Sequence, residues 1–333
     1  MNKIALVFGI TGQDGKYLNE LLIQKKYKVV GVTSNRALVE HLSNENLLYG
    51  DLSSYESIKS IICRIEPDEI YNLASQSIPS NSWVHPFDSH LVNGIGPTYI
   101  FDIARKYCNN IKIFQATSSE IFGNSILDSQ NEETVIDPLN PYAASKAYAH
   151  HMVQIYRKKY DMFISSGILF NHESELRPLN FISQKICYGA ACGFLNINIS
   201  PDLNELGDPI VLNGKLALGN LDISRDWGHA RDYVNAMWLT LQQKNSDNYV
   251  IGTGNIYSLK ELCAVAYGSV GLDWNSKVYS HCDLIRSVEI SKTKANPSKA
   301  NSKLKWTPLI TFREMISNMV LENINYLKNK LNI

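Results

Sequence analysis

Two pairs of residues carry proton chemistry by their type and spacing. In PYAASKAYA, Tyr142 and Lys146 lie four residues apart and so share one face of a helix. An ammonium one turn from a phenol stabilises the phenolate, which makes tyrosine a usable base near neutral pH. Taken alone, a YxxxK spacing is as readily an idle, exposed pair. In IKIFQATSSEIFG, Ser118 and Glu120 fall two residues apart at the carboxyl end of a predicted strand, on one face of it. A hydroxyl and a carboxylate placed there can bind a substrate hydroxyl and move a proton. A polar strand exit with a satisfied serine accounts for the same spacing.

A third motif supplies a site for a redox partner. Directly after the first predicted strand comes GITGQDG, with Gly9, Gly12 and Gly15 at three-residue spacing and Thr11, Gln13 and Asp14 between them. Glycine is needed where the chain turns tightly and where backbone amides approach a pyrophosphate at the positive end of a helix. Glycines also punctuate ordinary turns, but the position between a strand and a helix favours a dinucleotide. The second strand ends GVTSNR, without the acidic residue that an NAD site puts on the ribose 2′-hydroxyl. Arg36, with Ser34 and Asn35, can hold a 2′-phosphate, so the cofactor expected is NADP, with NAD the alternative; a solvated loop arginine fits equally well. YGDLSS offers Asp51 and Leu52, and NLASQS offers Leu73, Ala74 and Ser75, for the adenine and inner ribose, with Gln76 and Ser77 next toward substrate. Either segment alone reads as a plain strand-ending turn.

These groups need a scaffold that brings loop ends together. Residues 4–8, 28–32, 69–73, 112–116 and 163–170 are β-branched or apolar runs. Between them, residues 16–25, 54–64, 94–107 and 142–160 carry apolar side chains at helical spacing. The pattern predicts an α/β fold, a doubly wound parallel sheet of the Rossmann type. Residues 1–170 form the nucleotide-binding domain, with strands returning to it from about 219–250. Residues 171–333 form mainly a smaller substrate-binding lobe, in which residues 199–215 are the most turn-rich stretch.

Composition limits the partners. With 333 residues and 44% hydrophobic content the chain can bury a large core. Lysine plus arginine equals aspartate plus glutamate at 32 each, leaving no basic field for nucleic acid or an anionic membrane. A small diffusible substrate is the expected partner. The six cysteines show no metal spacing and read as buried, reduced thiols. His150, His151 and His229 find no second cluster, so no metal is expected. No leader or membrane span is expected, which places the protein in the cytoplasm.

Further along lie GILFNHES (residues 167–174), GNLDISRDWGHARDYVNAMWL (219–239) and NPSKANSKLKWTP (296–308). With GITGQDG, NLASQS, QATSSEIFG and PYAASKAYA, in that order, they cover nearly the whole chain. Together they resemble the GDP-mannose 4,6-dehydratases, extended members of the short-chain dehydrogenase/reductase superfamily. The resemblance implies a hydro-lyase acting on a GDP-hexose and assembling as a homo-oligomer, a dimer or tetramer. It makes Tyr142 the base, Lys146 its partner and Glu120 the proton carrier, with Ser118 where the family usually has threonine and Ser119 beside it. Asn171 and His172 would face the sugar and nicotinamide, Leu169 and Arg177 the cofactor. Arg225 and Arg286 would lie near the diphosphate, and Asn180 and Lys185 in the nucleotide pocket, with Leu218 and Glu289 as further substrate contacts.

The implied reaction is redox-neutral. Tyr142 takes the 4-hydroxyl proton as hydride leaves C4; the ketone acidifies C5; Glu120, helped by Ser118, moves that proton to the departing 6-hydroxyl; and hydride returns to C6. The cofactor never has to leave, so it should copurify. Three departures stand out. The segment after the second strand is much shorter than in typical members, leaving Arg36 alone where they grip NADP and a neighbouring subunit. Leu176-Arg177-Pro178 replaces two arginines and a glycine. Residues 199–215 look like an insertion, which opens the substrate to GDP-sugars other than GDP-mannose, N-acetylated or heptose forms included. The alternatives are a 4-epimerase, a 4-keto reductase, or a non-catalytic NADP-binding relative; Glu120 argues against the epimerase and RDWGH favours the dehydratase.

Overall fold

A computed structural model describes residues 2–42, 44–108, 110–285 and 289–333. Arg286, expected near the substrate's diphosphate, lies outside them. The described chain divides into two units. One takes the chain up to Phe170 and recovers Ala230–Gly252 and Ala295–Thr307; the other holds Asn171–His229, Thr253–Lys294 and Pro308–Ile333.

The first unit is built on seven parallel strands in the order Asn248–Ile251, Phe163–Leu169, Lys112–Ser118, Glu69–Asn72, Ile4–Phe8, Lys28–Thr33, Leu47–Tyr49. Such strands are covered on both faces, and Ala5, Leu6, Val7, Ile70, Tyr71, Ile113 and Phe114 are wholly buried. The chain works outward in opposite directions from Ile4–Phe8 and from Glu69–Asn72, which are neighbours. Their carboxyl ends therefore frame the crevice where doubly wound sheets take ligands.

Each face is sealed by the apolar stripe of its helices. Gln13–Gln24 and Ala230–Leu241 pack Tyr17, Leu18, Tyr233 and Met237 with Trp306 on one side. On the other, Tyr55–Ile65, Gly96–Tyr107 and Pro141–Tyr160 contribute Ile58, Ile62, Phe101, Ile103 and Val153. The first helix starts at Gln13, earlier than its apolar period shows, because Gly12 serves as its cap. The helix expected from residue 94 begins at Gly96, after a π-helical turn over Leu91–Ile95.

In the second unit, helices Ile182–Phe194, Leu259–Gly268 and Phe312–Leu331 enclose Cys187, Tyr188, Leu262, Tyr267, Met315 and Met319. Trp227 packs there too, stacked on Phe312 with ring centroids 6.0 Å apart. Two of these helices have strong starts: Ser258 and Glu261 form a capping box, and Thr311 accepts from the Glu314 amide. The turn-rich stretch 199–215 is a folded excursion. Strands Val211–Leu212 and Lys215–Leu218 pair antiparallel across Asn213 and Gly214, at φ +53° and +70°, the backbone a two-residue hairpin demands. Asp202 pins the excursion's start by accepting from Tyr188 Oη (2.9 Å), Tyr326 Oη (3.0 Å) and Lys330 Nζ (2.5 Å).

The expectation that the cysteines are buried is corrected. All are free thiols, but only Cys187, Cys192 and Cys263 are buried; Cys63 and Cys282 are exposed. Cys63 faces solvent because the buried stripe of its helix is Ile58, Ile61 and Ile62. Among the described residues no helix is long and apolar enough to cross a membrane.

Candidate active site

The glycine motif makes a cradle that side chains would fill. Gly9 follows the first strand at φ +82°, and a Cβ on it would lie 2.8 Å from the Ala74 nitrogen. Any other residue would push the two strand-end loops at the switch point apart. A Cβ on Gly15 would strike the Gly9 carbonyl. Gly12 caps the helix without a side chain over its first amides, which leaves that positive end to a pyrophosphate. These observations fit a dinucleotide. Thr11 Oγ1 lies 3.3 Å from Thr33 Oγ1, and Gln13 Nε2 donates to Asp14 Oδ1 at 3.1 Å.

At the next strand end the short connection is a helix, Arg36–Leu42, capped by Asn35 Oδ1 accepting from the Leu38 amide at 3.0 Å. Ser34, Asn35 and Arg36 are exposed. The Arg36 guanidinium lies over the Tyr49 ring, 4.3 Å from its centroid, a contact that aims a planar cation. Asp51 accepts from the Ser53 amide and hydroxyl at 2.8 and 2.6 Å, and Leu52 packs into the core. Ser75 Oγ and the Gln76 amide both donate to Asn93 Oδ1 at 2.9 Å, while Asn93 Nδ2 returns to the Gln76 carbonyl at 3.1 Å. Asn93 was not legible as a site residue. Its buried amide, on the π-helical turn, fixes the loop of Leu73, Ala74, Ser75, Gln76 and Ser77; an asparagine inside an apolar helical run was the available signal.

Tyr142 and Lys146 occupy the start of helix Pro141–Tyr160, where Asn140 caps by accepting from the Ala143 amide at 2.8 Å and Pro141 takes the first position. The Tyr142 amide donates to Ser82 Oγ at 3.1 Å. Lys146 Nζ sits 5.8 Å from the Tyr142 ring centroid and donates to the Ala116 carbonyl at 3.2 Å. Burial pushes its ammonium down to about 8, against a weaker upward pull from Asp14 of the glycine motif. One turn on, His150 is neutral packing. Its ring bonds Ser166 Oγ (3.0 Å) and Gln154 Nε2 (2.9 Å), and burial holds it down to about 4.

Glu120 requires a correction. Strand alternation does not place it beside Ser118, because the strand ends at Ser118 and the chain turns into a 3-10 helix, Ser119–Phe122. Ser118 Oγ caps that turn, accepting from the Glu120 amide at 3.3 Å, and Ser119 is buried. The Glu120 carboxylate is fixed from elsewhere: Asn140 Nδ2 donates to its Oε2 at 3.1 Å. Asn140 is thus a second residue the sequence reading missed. Its place just before Pro141 was visible as a helix cap, but not its bond to a residue twenty positions back.

Leu169 ends its strand, buried, in the first unit. In the second, Asn171 and His172 lie on the short strand Asn171–Glu173, parallel to Trp227–His229. Glu173 takes an ion pair from Arg177 Nε at 2.9 Å and a hydrogen bond from Ser183 Oγ at 2.8 Å, and Arg177 also stacks on Phe181 at 3.5 Å. His229 Nε2 lies 3.6 Å from the Glu175 carboxylate. Arg225 is buried, its strand between Tyr257–Ser258 and Lys292–Thr293, with Nη1 donating to the Ser224 carbonyl at 3.0 Å. Lys185, buried, pairs with Glu205 of the 199–215 excursion; Asn180 is exposed, Glu289 half-buried, and the Leu218 side chain lies in the core. Among the described residues, ligand atoms of His281, Cys282 and Asp283 come within 4.8 Å of one another at a surface turn. The three are consecutive and mostly exposed, so hydration is enough to explain them.

Comparison with known proteins points one way. The family model described as GDP-mannose 4,6 dehydratase matches residues 6–319. The chain is 39% identical to GDP-mannose 4,6 dehydratase 1 of Arabidopsis thaliana, over 98% of this chain and 91% of the relative. Against the Homo sapiens GDP-mannose 4,6 dehydratase it is 35% identical, over 99% and 93%. The fold is shared with the dTDP-glucose 4,6-dehydratase of Bacillus anthracis solved with NAD (TM-score 0.80, 20% identity, 98% of each chain). It is shared equally with RMD of Pseudomonas aeruginosa solved with NADPH (TM-score 0.80, 17% identity, 98% and 100% covered).

Proposed function

We propose that this chain, which belongs to the GDP-mannose 4,6-dehydratase family, removes water from a GDP-hexose to give the 4-keto-6-deoxy sugar. The observation that carries the reading is that Glu120 is hydrogen-bonded to the cap of the helix that bears Tyr142 and Lys146. An epimerase needs one base at C4. A dehydratase needs in addition a second group that takes a proton from carbon and returns it to oxygen.

A nicotinamide bound at the glycine cradle supplies hydride acceptance and return. Tyr142 Oη removes the proton of the hexose 4-hydroxyl. Lys146, buried and held by the Ala116 carbonyl, favours the phenolate whenever its own ammonium is charged. The Glu120 carboxylate then takes the proton from C5 and passes it to the departing 6-hydroxyl, which leaves as water. The proton held by Tyr142 goes back to C5 once C6 has been reduced, so both groups end as they began, and Ser118 Oγ acts by holding the Glu120 amide. The family resemblance assigns substrate contacts to Asn171, Asn180, Lys185, Leu218, Arg225 and Glu289, and cofactor contacts to His172 and Arg177. Arg36, aimed by Tyr49, supports NADP over NAD. The free thiols support a cytoplasmic site, and a homo-oligomer is expected on size-exclusion chromatography.

Incubating the enzyme with a panel of GDP-hexoses, GDP-mannose first, and following product mass tests the assignment. Loss of one water without net cofactor turnover is the expected result. A mass-neutral isomer identifies an epimerase, and stoichiometric consumption of reduced cofactor a reductase. Glu120→Gln should still pass hydride to the cofactor yet lose water about 10²–10⁴-fold more slowly; full activity in that variant refutes the role given to the carboxylate.

A further inference from the structure

We propose that Asn140 is a positioning residue for the elimination step, holding the Glu120 carboxylate in register with the Tyr142 helix. This rests on the reading of Glu120 as the proton carrier. The inference comes from how both ends of one amide are used. Oδ1 accepts from the Ala143 amide at 2.8 Å in an extended N-cap conformation (φ −148°, ψ 162°). That bond fixes which end is oxygen, so the other end is the NH₂ that donates to Glu120 Oε2 at 3.1 Å.

The cap role alone does not call for asparagine, since serine and aspartate cap as well. Serine's one donor sits on the same oxygen that caps, whereas asparagine caps with its oxygen and presents a donor to an anion from a separate nitrogen. The segment between is folded to make the meeting possible: the Asp137 amide donates to the Ile121 carbonyl at 2.9 Å, returning the chain beside the 3-10 turn just before Asn140. Glu120 is consequently held at both ends, its amide by Ser118 Oγ and its carboxylate by Asn140. A carboxylate that must first collect and then release a proton needs one fixed rotamer, and a glutamate free in three torsions does not have one.

Asn140→Ser keeps the cap and removes the amide nitrogen that reaches Glu120. Asn140→Asp keeps the cap and sets a second carboxylate against the first. In single turnovers of the purified holoenzyme with GDP-mannose, hydride transfer is read from the near-ultraviolet absorbance of reduced nicotinamide, and water loss from product mass. In Asn140→Ser, water loss should slow by about 10–100-fold, the loss of one hydrogen bond to a charged group. Hydride uptake should change by less than about threefold, so reduced cofactor accumulates; Asn140→Asp should be slower still. Equal slowing of both steps in both variants reduces Asn140 to a helix cap and overturns the proposal. So does wild-type water loss in Asn140→Ser. Glu120→Gln, run alongside, separates the failures: if it stalls while Asn140→Ser does not, the positioning role alone falls; if it keeps full water loss, the reading of Glu120 falls and Asn140 with it.

Discussion

Lys146 should make the folded protein less stable than an apolar side chain in its place would. The lysine is buried, and its ammonium is held at about 8 rather than 10.5. That difference corresponds to about 3 kcal/mol against the charged folded form at neutral pH. Methionine has similar length and no charge to desolvate. Replacement forfeits the bond to the Ala116 carbonyl, about 1–1.5 kcal/mol, but that carbonyl also accepts from Gln115 Nε2 at 3.0 Å and is not orphaned. Lys146→Met should therefore gain about 1–2 kcal/mol in the cofactor-stripped protein at pH 7, or about 2–4 °C in melting temperature, while losing turnover. The pH dependence fixes the cause. Below pH 8 both folded and unfolded lysine are charged and the penalty is complete. Between 8 and 10.5 the unfolded chain keeps a proton the folded one has released, so wild-type stability rises with pH relative to the variant. Urea unfolding of both proteins at pH 7 and pH 10 checks this. A variant no more stable than wild type at pH 7, or a gap unchanged at pH 10, refutes the reasoning.

Other substitutions probe separate parts. Tyr142→Phe should abolish hydride transfer as well as water loss, about 10³-fold or more, with folding unchanged; reduced cofactor still forming at the wild-type rate would remove the phenol from the chemistry. Arg36→Ala should weaken NADP by about 10–100-fold and NAD little, measured by titration of stripped protein; equal effects on both would return Arg36 to being a solvated loop residue. Asp226, wholly buried within RDWGH, accepts from the Thr253 amide and hydroxyl and the Gly254 amide at 2.9, 2.7 and 2.8 Å. Asp226→Ala strands those donors and should cost about 2–4 kcal/mol in urea unfolding, whereas an unchanged midpoint would mean water takes over all three bonds.

What was legible in the sequence follows from how locally each feature is encoded. The parallel strands announce themselves because burial on both faces demands apolar runs such as IALVF and KVVGVT, and the helices through their stripes and caps. The glycine cradle was readable for the same reason, since the clash a Cβ would meet at Gly15 is with the backbone of Gly9 and Ile10 a few residues back. The Asn213-Gly214 hairpin could have been found from the same kind of rule, and its dipeptide was overlooked among the turn residues around it.

The site chemistry is encoded differently. Tyr142 and Lys146 are linked by helical period, so spacing alone puts them on one face. Glu120 is not linked to them by any period, and extrapolating the strand past Ser118 assigned it the wrong geometry. Where the carboxylate goes is decided by a turn that starts when Ser118 caps it, and by Asn140 arriving from a loop whose path depends on the bond between Asp137 and Ile121. Lys185 and Glu205, and Asp202 with Lys330 more than a hundred residues away, are likewise pairs that only tertiary folding creates. Spacing rules therefore recover the groups to which chemistry is assigned, while their hydrogen-bond partners must be sought among polar side chains whose local role, such as a cap, uses only half of their hydrogen-bonding capacity. Asn140 fits that description, and so does Asn93, whose amide both accepts from and donates to the loop after the switch-point strand.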